Sequence, residues 1–171
     1  MIFGVSPTKN AVVIAQATGS RGTFSIQSIR AIEFGARSGG ELQELQQRLV
    51  VIFKRDGKRR STMALLASSS GRFKSAVDAI KAEAIAELAA AECGLPVVKV
   101  TAASLKKVLG CATGEKWQAC AGERFNPTGR HKNWSPGAAG AVAAALKVFV
   151  EMREPSRRSA KVGRYDPGYA G

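Results

Sequence analysis

The sequence predicts a single α/β domain: a mixed sheet of three antiparallel strands, then strands that alternate with helices packed on the sheet's faces. Three observations lead there. Residues 1–34 carry short apolar runs separated by turn signals, which is strand patterning. From Gly39 onward, apolar residues recur at helical spacing in three long stretches. Short apolar runs of strand length, Thr62–Ala67 and Val97–Val100, separate those stretches. Strands grouped first and alternating with helices afterwards fit one sheet covered by helices.

Each element has its own signals. Ile2, Phe3 and Val5 begin the first strand, and Ala11 to Ala17 form a second, rich in β-branched residues. Gly19 to Gly22 supply a turn. Thr23 to Ile32 then alternate at Phe24, Ile26, Ile29 and Ile32, with one slip in phase that a bulge would explain. Gly39-Gly40 opens a helix with Leu42, Leu45, Leu49 and Ile52 at helical spacing and Glu41, Glu44 and Arg48 on its other faces. Gly57 ends it, and Lys54 and Arg55 sit near the negative end of its dipole. Ser68-Ser69-Ser70-Gly71 stops the next strand. Lys74 to Cys93 is a long helix with Val77, Ile80, Ala84, Leu88 and Ala91 as its expected core face, closed by Gly94 and Pro96. Thr101 caps a short helix that ends at Gly110, and another lies around Glu115 to Ala121. Residues 122–134 read as loop. Ser135 as N-cap and Pro136 at the first helical position launch the last helix, to about Met152. The domain is therefore placed at 1–152. Residues 153–171, with five Lys/Arg against two acids and little to bury, read as a basic flexible tail.

Charge is the strongest compositional signal. Twenty-six Lys+Arg against 13 Asp+Glu give a net charge of +13, and the pI is near 10.2. Such a balance favours polyanions, with nucleic acid first among them. The residues expected to meet phosphates are Lys54, Arg55, Lys58, Arg59 and Arg60, then Arg72 and Lys74. Lys106-Lys107 adds to the positive surface. Trp117, Phe125 and Trp134 are interleaved with Lys116, Arg124, Arg130, His131 and Lys132, a pairing of ring and cation suited to unstacked bases. Core packing of the two tryptophans is the competing reading. Phe73, between Arg72 and Lys74, is a further stacking candidate.

Other classes find little support. No apolar run approaches the roughly 20 residues of a membrane span, and Met1 leads straight into a strand pattern rather than a leader, so cytoplasmic residence is the expectation. Three cysteines without metal-ligand spacing, and a single histidine, argue for buried thiols rather than zinc. Neither a P-loop nor Gly-x-Gly-x-x-Gly occurs, and no cofactor is expected.

Four segments carry a resemblance. Ile2-Phe3-Gly4-Val5-Ser6-Pro7-Thr8, Ala82 to Val100 with Gly94-Leu95-Pro96-Val97, Thr101 to Gly110, and Ser135 to Leu146 resemble the RNase H-like superfamily, in particular RuvC-like Holliday-junction resolvases. The resemblance covers about residues 1–150. It implies a mixed sheet with flanking helices. It also implies metal chemistry, in which three or four carboxylates hold two divalent ions about 4 Å apart for phosphodiester hydrolysis. Here Ser6, Gly137 and Gly140 stand where the resemblance places aspartates. No Asp or Glu occurs from Met1 to Ile32, from Gly57 to Val77, or from Arg124 to Val150. The absence holds in any alignment of those segments.

The expectation is a catalytically degenerate RuvC-like protein that binds DNA or RNA without metal-dependent cleavage, and with no catalytic or metal residues. The alternative is a protein-interaction or structural subunit on the same fold, a homodimer among the options. A nuclease rebuilt on other acids, such as Asp78, Glu83, Glu87, Glu92, Glu33, Glu115 or Glu123, ranks below both. The small-residue run Gly137 to Ala145 is expected to pack close to the sheet, with a ligand groove as the competing reading.

Overall fold

The protein's structure, a computed structural model, describes residues 1–20, 23–57, 60–68 and 76–153. The chain runs β1 (Ile2–Pro7), β2 (Ala11–Ser20), β3 (Thr23–Glu33), α1 (Gly39–Asp56), β4 (Thr62–Leu66), α2 (Val77–Glu92), β5 (Val97–Val100), α3 (Ala102–Leu109), α4 (Trp117–Phe125) and α5 (Pro136–Arg153). One five-stranded sheet has the order β3-β2-β1-β4-β5. β1 pairs antiparallel with β2, as does β2 with β3, while β1, β4 and β5 are parallel. The phase slip in β3 is a real irregularity: Gln16 pairs with Ser28 but Ala17 with Ile26, leaving Gln27 as the extra residue.

The two-residue period of β1 divides the molecule into layers. Phe3 and Val5 join α1 and α2 in one core with Leu45, Leu49, Phe53, Met63 and Leu65. Gly4 and Ser6 face α5, on the side where Ala64, Ala139, Ala143 and Ala144 join α3 and α4. α1 begins at a capping box in which Ser38 and Glu41 satisfy each other's backbone N–H groups, and Lys54 and Arg55 occupy its last turn. Ser135 Oγ accepts the Ala138 N–H at 3.1 Å and starts α5, as its position before Pro136 predicts.

The core face expected for α2 is not the one observed. Ala79, Ala82, Ala86, Ala89 and Ala90 are buried, and Val77, Ile80, Ala84, Leu88 and Ala91 point outward. Nearly every face of this helix is apolar, so periodicity does not select one. The alanine face wins because it has no long side chains to hold the helix away from the sheet and from α1. The expected start at Lys74 and the tail from Glu154 onward lie outside the described residues, and among the latter no helix is long and apolar enough to cross a membrane.

A polar knot ties α1 to the sheet. Asp56 accepts hydrogen bonds from Gln16 Nε2 (2.6 Å), Arg30 Nη1 (3.0 Å) and Arg55 Nε (2.8 Å). The Arg55 hydrogen bond, helped by Gln16 and Arg30 and opposed by partial burial, holds the Asp56 carboxyl well below the usual carboxylate range. A lowered folded-state value means stability that is present above the unfolded value of 3.8 and lost as pH falls below it. Asp56→Asn is expected to lose about 1–2 kcal/mol at pH 7. Urea unfolding at pH 7 and pH 3 checks it: the gap between variant and parent narrows at the lower pH.

Candidate functional site

Because β1, β4 and β5 are parallel, their C-terminal ends, Pro7, Leu66 and Val100, lie at one pole of the sheet. The N-terminal half of α5 crosses that pole. A Cβ built on Gly140 would stand 2.7 Å from Ser6 Oγ and 2.9 Å from Leu66 Cδ2; one on Gly137 would stand 2.7 Å from Val13 Cγ2 and 3.1 Å from Thr8 Cγ2. The structure thus brings Ser6, Gly137 and Gly140 together and adds Leu66 from β4. The sequence reading missed Leu66, since a leucine in an apolar run carries no signal beyond core.

This junction is packed. Ser6 is 4% exposed, and every residue from Gly137 to Leu146 is buried. The competing ligand groove is not formed along the glycine and alanine run. Side chains meeting here offer two neutral hydroxyls, those of Ser6 and of Thr8, the latter bonded to the Ala11 backbone, and otherwise alkyl groups. That donor set does not fit a divalent ion, which needs several oxygen ligands and carboxylate charge to hold it against water. Among the described residues no three His, Cys, Asp or Glu side chains form a group that could hold one. Glu83 comes to this pole from α2, but its carboxylate accepts the Ser68 N–H at 2.8 Å and faces Lys99 Nζ at 3.6 Å. Asp78, Glu87 and Glu92 are engaged in ion pairs with Lys81, Lys99 and Lys54.

Neither Cys93 nor Cys120 supplies a ready thiolate in their place. The Cys120 thiol is pushed up to about 12, chiefly by its hydrogen bond with Cys111 and then by burial and Glu115, and burial raises Cys93. Both therefore stay protonated at neutral pH.

The cations expected to meet phosphates do not form one cluster. Lys54 and Arg55 close α1 at the far pole, where Thr62 N–H bonds to the Met1 carbonyl, and Arg60 is exposed nearby. Lys54 pairs with Glu92 at 3.3 Å and Arg55 with Asp56 at 2.8 Å. Lys58, Arg59, Arg72, Lys74 and the aromatic Phe73 lie outside the described residues. Arg124 donates to the Val108 and Leu109 carbonyls at 3.3 and 3.5 Å, which closes the C-terminal end of α3, and stacks over Phe125. Trp117, Phe125 and Trp134 are half-buried against the α5 core, so packing holds part of each ring.

Lys116, Arg130 and Lys132 are different. They are exposed, and none is in an ion pair among the described residues. Lys106 and Lys107 on α3 are likewise exposed. So is Lys9 in the β1–β2 turn, three residues from Ser6, which the sequence reading missed because it stands alone between strands. Charge is divided between the layers: α1 and α2 hold seven acids against four bases, whereas residues 102–153 hold eight bases against three acids.

No family model matches the sequence, and no curated protein matches it. Solved structures do. RuvC of Thermus thermophilus in complex with a Holliday-junction substrate is 15% identical, with a TM-score of 0.70 over 90% of this chain and 96% of that one. A further structure of Thermus thermophilus RuvC gives 15% and 0.69, over 89% and 95%. The yeast mitochondrial Holliday-junction resolvase Ydc2 is 9% identical, with a TM-score of 0.58 over 90% and 80%. With this overlap and its own five-stranded mixed sheet flanked by helices, the chain has an RNase H-like fold of the RuvC type.

Proposed function

We propose that this chain is a nucleic-acid-binding domain that holds phosphates on its α3–α5 side and does not cut them through metal ions. The observation that carries the reading is the junction of Ser6, Leu66, Gly137 and Gly140: it is packed with small and alkyl groups and bears no carboxylate. On that same side of the sheet, Lys106, Lys107, Lys116, Arg130 and Lys132 are exposed and uncommitted to acids among the described residues. Lys9 extends the set toward the junction. Lys54 and Arg55 contribute less, being held by Glu92 and Asp56, and Arg124 acts mainly on α3. Lys58, Arg59, Arg60, Arg72 and Lys74 enter through charge. Branched DNA is the first ligand to try, because a structural neighbour is described in complex with a Holliday junction.

The test is an anisotropy titration against junction, duplex, single-stranded DNA and RNA at two salt concentrations. A surface that makes about five phosphate contacts loses on the order of 500-fold in affinity between 50 and 200 mM salt. Lys116→Glu, Arg130→Glu and Lys132→Glu together are expected to weaken binding by at least ~100-fold and to flatten that salt slope. Lys54→Glu with Arg55→Glu should change it severalfold at most. Equal losses from both sets would point to diffuse charge rather than this face.

A second reading, a protein-interaction subunit on the same fold, is favoured by the apolar residues exposed on the opposite layer, Val51, Val77, Ile80 and Leu88.

A further inference from the structure

Two of the three cysteines meet at the junction of α3 and α4. Cys111 follows Gly110, the left-handed residue (φ 70°) that ends α3, and its N–H bonds to the Lys106 carbonyl at 3.2 Å. Gly114, at φ 89°, takes a second left-handed step that turns the chain back into α4. One carboxylate closes this turn. Glu115 accepts the Ala112 N–H at 2.8 Å and the Cys120 S–H at 3.3 Å. Cys120, on α4, is thereby held facing back, within hydrogen-bonding reach of Cys111. Both residues are half-buried against the α5 core, which leaves them open to a small reagent. The remaining cysteine, Cys93, lies in the opposite layer, where its thiol donates to the Val50 carbonyl at 3.8 Å.

Sulfurs this close, on segments already folded back on each other, are placed for chemistry with one another. We propose that Cys111 and Cys120 are a reversible redox modification site, which a low-molecular-weight disulfide of the glutathione class closes into an intrachain disulfide. Thiol–disulfide exchange accomplishes this in two steps. Cys111 gives its proton to solvent, and its sulfur attacks one sulfur of the reagent. That forms a mixed disulfide and releases the first reagent thiol. Cys120 then gives up its own proton, and its sulfur attacks the Cys111 sulfur and expels the second reagent thiol. In sum, two protein thiols lose two electrons and two protons, and one reagent disulfide gains them as two thiols. The order follows from the Cys120 thiol, which is pushed up to about 12 and holds its proton until a disulfide stands beside it. Lys106, Lys107 and Lys116, exposed on either side of the pair in sequence, supply a positive field for the carboxylates of such a reagent.

The bond reinforces a join that the fold already makes. Arg124 on α4 donates to the Val108 and Leu109 carbonyls at the end of α3, at 3.3 and 3.5 Å. Drawing the sulfurs in to about 2.05 Å therefore tightens two segments that are in place rather than pulling separate ones together. The cross-link removes freedom from the unfolded chain, and for a loop this short the melting temperature is expected to rise by about 5 °C. Closure does not depend on nucleic-acid binding.

The test uses the full chain, free of nucleic acid, equilibrated near neutral pH in glutathione buffers that run from reducing to oxidising. Acid-quenched samples are read by intact mass and peptide mapping, and parallel samples by thermal unfolding. Oxidising buffers are expected to remove two hydrogens, link Cys111 to Cys120, leave Cys93 free and raise the melting temperature, and excess reduced glutathione is expected to reverse all of this. Cys120→Ser should stop at a glutathione adduct on Cys111, Cys111→Ser should leave Cys120 unreacted, and Cys93→Ser should close as the parent does. Thiols that stay free at every buffer ratio would overturn the proposal. So would a link that involves Cys93 or a second chain, an adduct on Cys111 that never passes to Cys120, or a closed form no more heat-stable than the reduced one.

Discussion

Gly4→Ala is expected to destabilise the protein by on the order of 3 kcal/mol or more, from a single methyl group. Gly4 lies at the middle of β1, where α5 crosses closest. A Cβ there would run into the Ala141 carbonyl oxygen and press on Ala145. Neither neighbour is a flexible side-chain tip that turns aside; the obstacle is helix backbone. α5 would have to lift from the sheet along its whole buried length, opening voids beside Ala138, Ala141 and Val142. For a chain of this size each kcal/mol is worth roughly 2–4 °C, so the melting temperature should drop by about 6–12 °C or the variant should fail to fold. Thermal unfolding followed by circular dichroism reads the effect directly. The exposed Gly39, whose Cβ would meet nothing within 4 Å, supplies the control: Gly39→Ala should stay within about 0.5 kcal/mol of the parent.

Gly140→Asp, which restores a carboxylate where the RuvC resemblance places one, is expected to lose about 3–5 kcal/mol and to gain no activity. Its Cβ would already be too close to Ser6 Oγ and Leu66 Cδ2, and the charged group beyond it would enter a junction lined by hydroxyl and alkyl groups. No cation of the described residues is paired to that spot. Adding Ser6→Asp and Gly137→Asp makes the junction worse, since three acids would repel one another in a space closed by Val13 and Thr8. The loss would be largest at neutral pH and smaller in acid, where the new carboxyls protonate. Urea unfolding with and without millimolar Mg²⁺ separates the two accounts. Equal destabilisation in both conditions is expected; rescue by the metal would mean that the pole still opens into a cation site.

Local chemistry made much of this fold legible in the sequence. The helix start at Gly39-Gly40, Ser135 before Pro136, and the shift between Ile26 and Ile29 are each decided within a few residues. The convergence of Ser6, Gly137 and Gly140 was legible only through the RuvC-like resemblance, because nothing in residues 6 and 140 alone brings them together. Three features could not be read. α2 offers apolar residues on almost every face, and the choice of its alanine side depends on how closely α1 and the sheet approach. Leu66 looks like any core leucine until α5 is laid across it. Lys54 and Arg55 read as part of the same basic surface as Arg130 and Lys132, yet the antiparallel course of α1 against β4 carries them to the opposite pole, beside Glu92 and Asp56.

Cleavage and binding scored on the same molecules test the central claim most directly. A labelled four-way junction is titrated with clean protein in Mg²⁺ and again in Mn²⁺, complex formation is followed by anisotropy, and the same samples are run on a denaturing gel. Saturable, salt-sensitive binding with every strand left at full length is the predicted result. Strand scission that a chelator stops, and that a single substitution such as Glu83→Gln abolishes, would contradict it.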